Sequence, residues 1–441
     1  MALRGRPGFT FCCAKARDWR SRSGHSFGRP KKIISSQRPQ RFRAVYRRLG
    51  KAVLITGARV AAGATAAIRR RFSVNDGLIS FSPRLPHPQP QIDLSGFLIL
   101  PGLINAHDHL EFNLFPRLGA GPYPNATAWA KDIFHPRHSP VKEQLAIPKT
   151  LRLLWGGLKN LLSGVTTVAH HNSYQAIFAD PCFPVRVLKR YGWAHSLQFS
   201  PDWLSRFCET PSRNPFIIHA CEGTDEAARQ ELRILADAGV LQDATVLVHG
   251  VALDRAGADR LAESRAALVW CPTSNQFTLG RTIHPDVLRS RLSIALGTDS
   301  GMTGAGDLWD ELQEAASAVE AERLYEMVTT GAARILKLPV GFGEIRDGSP
   351  ADFLVVVDDG QTPAEALVAE RPHAVVIAGQ LKLASSQFAA ICRWPGIRAL
   401  QPVEVEGRGS YLAAFDTRTL INETRAVFDG GLRLAGKAIA A

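Results

Sequence analysis

Between residues 103 and 338 the chain repeats one pattern, a short and largely apolar run followed by a longer stretch with helical spacing. The runs are LINAHDHL (103–110), VTTVAHHN (165–172), GWAHSLQF (192–199), PFIIHACE (215–222), TVLVHG (245–250), AALVWCP (266–272) and LSIALGTDS (292–300). Helical candidates lie between them, at 141–163, 224–238, 254–264 and 307–336. Strands buried on both faces read as unbroken apolar runs, and parallel neighbours need long crossovers. The pattern predicts an α/β fold with a parallel sheet covered by helices. In about 235 residues its natural closure is a TIM-like (β/α) barrel.

Polar side chains fall at matching places in this pattern. His107 and His109 stand near the end of the first run, His219 follows the apolar FII of PFIIHACE, and His249 and Asp299 stand near the ends of TVLVHG and of the last run. Residues i and i+2 of a strand point to one side, so His107 and His109 can aim both imidazoles at one point. An H-x-H triplet alone occurs by chance. Five groups of metal-ligand type at the C-terminal ends of barrel strands share one pocket, and this pattern points to a metal site.

The flanks have a different texture. KAVLITGARV, FSVNDGLISFS and QIDLSGFLILP read as short strands with turns, and GEIRDGSPADFLVVVD and HAVVIAGQLKL read the same way after the barrel. A small β-sandwich built from both flanks would leave the barrel as an insert. The expected divisions are a tail (1–50), the first part of the sandwich (51–102), the barrel (103–338), the second part (339–385) and a C-terminal extension (386–441) with helical patches and no motif.

The net charge of +13 belongs to the tail. Residues 1–50 hold 14 of the 53 basic residues and one of the 40 acidic ones, so the rest carries 39 of each. A nucleic-acid partner would therefore depend on the tail alone, and none is expected. The tail reads as disordered, or as an upstream stretch from a wrongly chosen start. It lacks the apolar core of a secretory signal. No apolar run reaches membrane-spanning length, so no membrane partner is expected. Seven scattered cysteines without a C-x-x-C pair favour a reducing, cytoplasmic setting. No P-loop or G-x-G-x-x-G is present.

PGLINAHDH, GVTTVAHHN, HACEGTDE, VLVHGVAL, CPTSNQFTLG and ALGTDS, in this order and between flanking sheets, resemble the amidohydrolase superfamily, within it the mononuclear deaminase and chlorohydrolase branch. The resemblance spans about residues 51–385. It implies that His107, His109, His219 and Asp299 bind one divalent metal, zinc or iron. Glu222, in H-x-x-E with His219, would shuttle protons, and His249 would touch the attacking water or the substrate. Imidazole and carboxylate suit such a metal. Binuclear relatives use a lysine on the fourth strand, and that strand is not found. About 15 residues separate GWAHSLQF from PFIIHACE, too few for a helix, a strand and a second helix. The expectation is an abbreviated fourth unit and a single metal.

The Pro/Gly-rich stretch 111–140 is expected to fold over the pocket as a lid, with Arg117 as a substrate contact. Glu111, Asn113, Tyr123 and Trp129 could also serve there, though packing would account for any one of them. One of His170 and His171 faces inward; we expect His171 and the neighbouring Asn172 at the substrate, against a satisfied structural histidine. Ser274 and Asn275 in CPTSN suit a pocket loop, and turn chemistry would also explain them. His195 is expected in the core.

The reading is a metal-dependent hydrolase of C–N bonds other than peptide bonds, acting on a small molecule, most simply a deaminase of a nitrogen heterocycle, with homo-oligomers open. Its alternatives are a dechlorinase, a cyclic or linear amidase, and a non-catalytic scaffold.

Overall fold

The computed structural model describes residues 52–82 and 89–440, so the expectations for the 1–50 tail lie outside the described residues. Eight parallel strands form the centre: β1 Leu103–Asp108, β2 Val165–His170, β3 Arg186–Val187, β4 Gly192–Ser196, β5 Phe216–Ala220, β6 Thr245–His249, β7 Ala267–Trp270 and β8 Ser293–Leu296. They pair as β3-β2-β1 and as β4-β5-β6-β7-β8. At their C-terminal ends the two groups meet, where Thr298 N donates to His107 O at 2.9 Å and His109 N to Asp299 O at 2.8 Å.

The sequence pattern predicts seven strands and the structure has one more. β3 is two residues long, too short to register as an apolar run. The abbreviation expected in a fourth unit lies elsewhere, since only residues 188–191 separate β3 from β4 and no helix joins them. The segment between β4 and β5 has room for one short helix, Trp203–Glu209.

Side chains of the strands alternate between two cores. Ile104, Ala106, Ala169, Ile217, Val246, Val248, Ala267, Val269 and Ala295 meet in one small-residue cluster. Phe216, Ile218, Leu247, Leu268, Trp270 and Leu296 face the other way, into the larger core that includes the helices. The period of two explains why the runs look apolar throughout, because both faces are covered.

Among the helices, α1 Ala126–Ile133 belongs to the lid stretch, α2 Lys149–Leu162 precedes β2, and α3 Glu226–Asp237 follows β5. The helix expected over 141–163 is interrupted at Ile147-Pro148, because a residue before proline is pushed out of the helical region. The stretch 307–336 holds three helices, the first of which, Leu308–Ala315, opens on an Asp307–Asp310 capping box.

Outside the centre, Phe97–Pro101 pairs antiparallel with Phe353–Val357 over five positions, so a strand from each side of the insert meets in one ten-stranded sheet. Ile55, Phe72 and Ile79 of a four-stranded sheet share a core with Ile99, Phe353 and Val376 of the larger one. Strand pairing does not stop at residue 385, because Gln401–Val405, Gly409–Ala413 and Lys437–Ala440 extend the same sheet. Of the helical patch LAAFDTRTLINETRAVF, only Thr417–Arg425 is helix. It covers α2, with Trp155 Nε1 donating to Thr424 Oγ1 at 2.9 Å. No helix among the described residues is long and apolar enough to cross a membrane.

Candidate active site

β1 aims its histidines through an irregularity. Asn105 pairs with Val168 and Asp108 with His170, so three steps on β1 match two on β2. That is a bulge, which lets a strand re-aim its side chains. Asn105 and Asp108 turn toward α2, bonding Asn160 and Lys159. His107 and His109 turn toward His219 and Asp299.

The ring nitrogens crowd together. His219 Nε2 lies 3.2 Å from His107 Nε2 and 3.3 Å from His109 Nε2. Asp299 Oδ1 lies 3.5 Å from His107 Nε2 and 3.6 Å from His109 Nε2. The strand ends that deliver these groups are tightly bent: His249 has φ 76° and Asp299 φ 55°, left-handed values that cost non-glycine residues about 1–3 kcal/mol each. Gly297 lets β8 come this close, because a Cβ there would sit 2.7 Å from His107 Cβ.

Proton positions follow from the partners. His171 Nε2 lies 2.9 Å from the Ala194 carbonyl, which can only accept, so Nε2 carries the proton and Nδ1 the lone pair. His171 Nδ1 lies 3.2 Å from His107 Nδ1, which must then be the donor. The lone pair of His107 Nε2 is thereby left facing His219 and Asp299. Burial holds the His107 imidazole down at about 4, and keeps His219 and His171 well below the ordinary histidine value. Burial pushes Asp299 up, but the imidazoles packed around it outweigh that and leave the carboxyl well below its usual range. Ser274 Oγ and Thr303 Oγ1 donate to Asp299 Oδ2 at 2.7 Å each, so Oδ1 is the oxygen that faces the histidines. Acceptors that face each other in a dry site require a cation between them, and a neutral-imidazole and carboxylate set fits zinc or iron.

Two overlapping groups have all ligand atoms within 4.8 Å of one another: His107, His109, His171, His219 and His107, His219, His249, Asp299. His171 thus stands in the cluster, behind His107, and does not line the cavity, contrary to its expected place at the substrate. His249 Nδ1 donates to Asn275 Oδ1 at 2.8 Å, leaving its Nε2 3.5 Å from Glu222 Oε1. Burial pushes the Glu222 carboxyl up to about 7, against the pull of His249.

A cavity of about 760 Å³ opens over this cluster, lined by His109, His219, Glu222, His249 and Asp299 and by lid residues that include Trp129. Asn172 reaches it too, with Nδ2 donating to Glu111 Oε1 at 3.0 Å. Ser274 and Asn275 lie behind the cavity, where they hold Asp299 and His249. Arg117 also falls outside the lining: its Nε donates to Gly304 O at 3.0 Å and its guanidinium sits 4.8 Å from the centre of the Phe277 ring. Asn113 bonds Asp108, Tyr123 bonds Asp132, and Glu111 pairs with Lys149. His195, expected in the core, lines the cavity with a buried Nδ1 that has no partner. Mid-strand position hid it, because β4 ends at the rim. Thr303 had one signal, its place four residues after Asp299.

Residues 184–382 match the amidohydrolase family. The 5-methylthioadenosine/S-adenosylhomocysteine deaminase of Haloarcula marismortui is 25% identical over 347 residues, 65% of this chain and 79% of that protein. The corresponding deaminase of Syntrophobacter fumaroxidans is 27% identical over 329 residues, 60% and 73% of the two chains. Over residues 184–382 the chain is similar to the amidohydrolase family. The fold agrees with an adenosine deaminase from Xanthomonas campestris with bound zinc (TM-score 0.58, 19% identity, 85% of this chain and 97% of that one). It agrees also with atrazine chlorohydrolase from Arthrobacter aurescens TC1 complexed with zinc (TM-score 0.62, 17% identity, 85% and 99%). The buried cluster suits a single divalent metal such as zinc.

Proposed function

We propose that this protein is a hydrolase of the amidohydrolase type that removes an amino group from a nitrogen heterocycle, adding water at the sp² carbon that bears it. The observation that carries the reading is the set of ligand atoms turned on one point, His107, His109 and His219 Nε2 with Asp299 Oδ1, beside Glu222 and His249 at the floor of a small-molecule cavity. These four would hold the metal. When bound there, the ion supplies the positive charge that brings the pKa of water from about 15.7 toward 7.

The chain's own groups then divide the proton work. Asp299 Oδ1 is ionised and can accept a proton from the attacking water. Its other oxygen is fixed by Ser274 and Thr303, so the accepting one cannot rotate away. Glu222 stands where it can give a proton to the ring or the departing amine, which leaves as ammonia once the C–N bond breaks. Asn275 fixes the His249 ring with Nε2 toward Glu222, ready to bond the water or the developing oxyanion. The fold belongs to the same reading, with the eight strands as one barrel joined at β1 and β8, and the flanking sheets as a sandwich around their shared core.

The test is a metal assay followed by product screens over purines, pyrimidines, triazines and lactams. We expect about one metal per chain and ammonia as product. Glu222→Gln should keep its metal and lose at least about 100-fold in kcat, the usual worth of a positioned acid or base. Chloride or a carboxylate in place of ammonia would move the reading to dechlorination or amide hydrolysis. A chain that stays inert after zinc or iron reconstitution would refute it.

A further inference from the structure

The cavity is polar at its floor and apolar along one continuous wall. Beside the cluster the Phe112 ring lies 6.0 Å from His109 and 5.5 Å from Phe115, the latter edge-on. Leu118, Trp129, Ile133 and Met302 continue the lining outward from this pair. At the mouth stand Phe134, 62% exposed, and Phe199, 45% exposed and edge-on to His195 at 5.1 Å. Among the described residues these are the only two exposed phenylalanines, and both line this cavity. Exposed aromatics gathered at one mouth mark a surface that is covered when something binds.

Several polar side chains of the lining are already committed to the protein. Asn125 bonds Asp225 and Ala128 N, Asn172 bonds Glu111, and Arg206 bonds Asp202. Ser196 accepts from Phe199 N, and Ser200 from His195 N. Trp129 Nε1 is spent on the Leu118 carbonyl. Glu231 gives one oxygen to Cys221 N. Against the aromatic and aliphatic faces of Phe112, Phe115, Trp129, Ile133 and Phe134 a substituent rich in hydroxyls would lose water without finding partners, and an apolar one would lose nothing.

We infer that the substrate is an amino-heterocycle carrying an apolar alkyl or aryl substituent, which packs along Phe112, Phe115, Trp129, Ile133 and Phe134 and replaces water there. This rests on the function proposed above for the reacting ring. It does not depend on turnover, since the wall can be probed by binding alone.

The probes are 9-methyl-, 9-butyl-, 9-benzyl- and 9-ribosyladenine together with 2-amino-triazines bearing methyl or butyl groups. Binding to the zinc-loaded Glu222→Gln protein is followed by calorimetry, and ammonia release by the native enzyme. Each methylene buried on an apolar wall strengthens binding roughly fourfold, so in at least one ring series butyl should bind about 50-fold tighter than methyl. The ribosyl compound should bind no better than methyl. Phe134→Ser, at an exposed position that leaves the core intact, should cut the butyl-to-methyl ratio severalfold without changing the zinc content. Tighter butyl binding with no ammonia from any compound would support the wall and refute the deaminase. Ammonia release with ribosyl equal to or better than butyl would do the reverse. Equal binding of butyl and methyl in both series, no binding by any probe, or a ratio unmoved in Phe134→Ser would also overturn the inference.

Discussion

Replacing Lys159 by methionine should destabilise the fold by about 3–4 kcal/mol. Lys159 and Asp108 are 2% and 0% exposed, and Lys159 Nζ lies 2.9 Å from Asp108 Oδ2. At that distance the Coulomb attraction is about 6 kcal/mol for an effective dielectric near 20. Methionine keeps the aliphatic stem and removes the charge, so Asp108 stays buried without its cation. Breaking one side of such a pair usually costs about 3–5 kcal/mol. The lower half of that range applies here, because Asp108 keeps bonds from Asn105 (3.3 Å), Asn113 (2.8 Å), Asn160 (2.8 Å) and Thr298 (2.9 Å). The assay is urea unfolding followed by tryptophan fluorescence, on protein stripped of metal so that ligand linkage does not add to the difference. Asp108→Asn in the same chain should recover much of the loss, since it removes the unpaired charge. A loss below about 1 kcal/mol in Lys159→Met, or no recovery in the double variant, would refute the electrostatic account of this network.

Other tests address the site itself. His171→Ala removes the acceptor that holds the His107 tautomer, and should weaken zinc binding by about 10–100-fold, read by competition with a chromophoric chelator. Gly297→Ala places a methyl 2.7 Å from His107 Cβ, so zinc content after dialysis should fall even where the far-ultraviolet spectrum is unchanged. Glu311 is buried, and burial pushes its carboxyl up to about 8 although the bonds from Thr273 pull the other way. Unfolded, it would ionise near 4.3, so its burial weighs on stability increasingly as pH rises from about 4.3 to 8. Glu311→Gln should flatten the fall of unfolding free energy across that window, as measured by denaturant titration at a series of pH values.

Much of this molecule was legible in its sequence, for reasons that are local. Apolar runs of strand length separated by helical spacing required a sheet covered on both faces. His107, His109, His219, His249 and Asp299 stood at matching strand ends, and the structure gathers all five. The tertiary structure decided what depended on partners distant in the chain. β3 is too short to announce itself, and it forms because β2 is there to pair with it. His171 is indistinguishable from His170 in sequence, and only the Ala194 carbonyl and the His107 ring give it its place. Ser274, Asn275 and Arg117 were equally plausible pocket residues until the fold set the first two behind Asp299 and His249 and turned the third to Gly304. Strand periodicity states which way a side chain faces. Which lone pair is left over, and what it faces, is determined by hydrogen-bond partners up to some two hundred residues away, and those meet only when the strands have closed on one another.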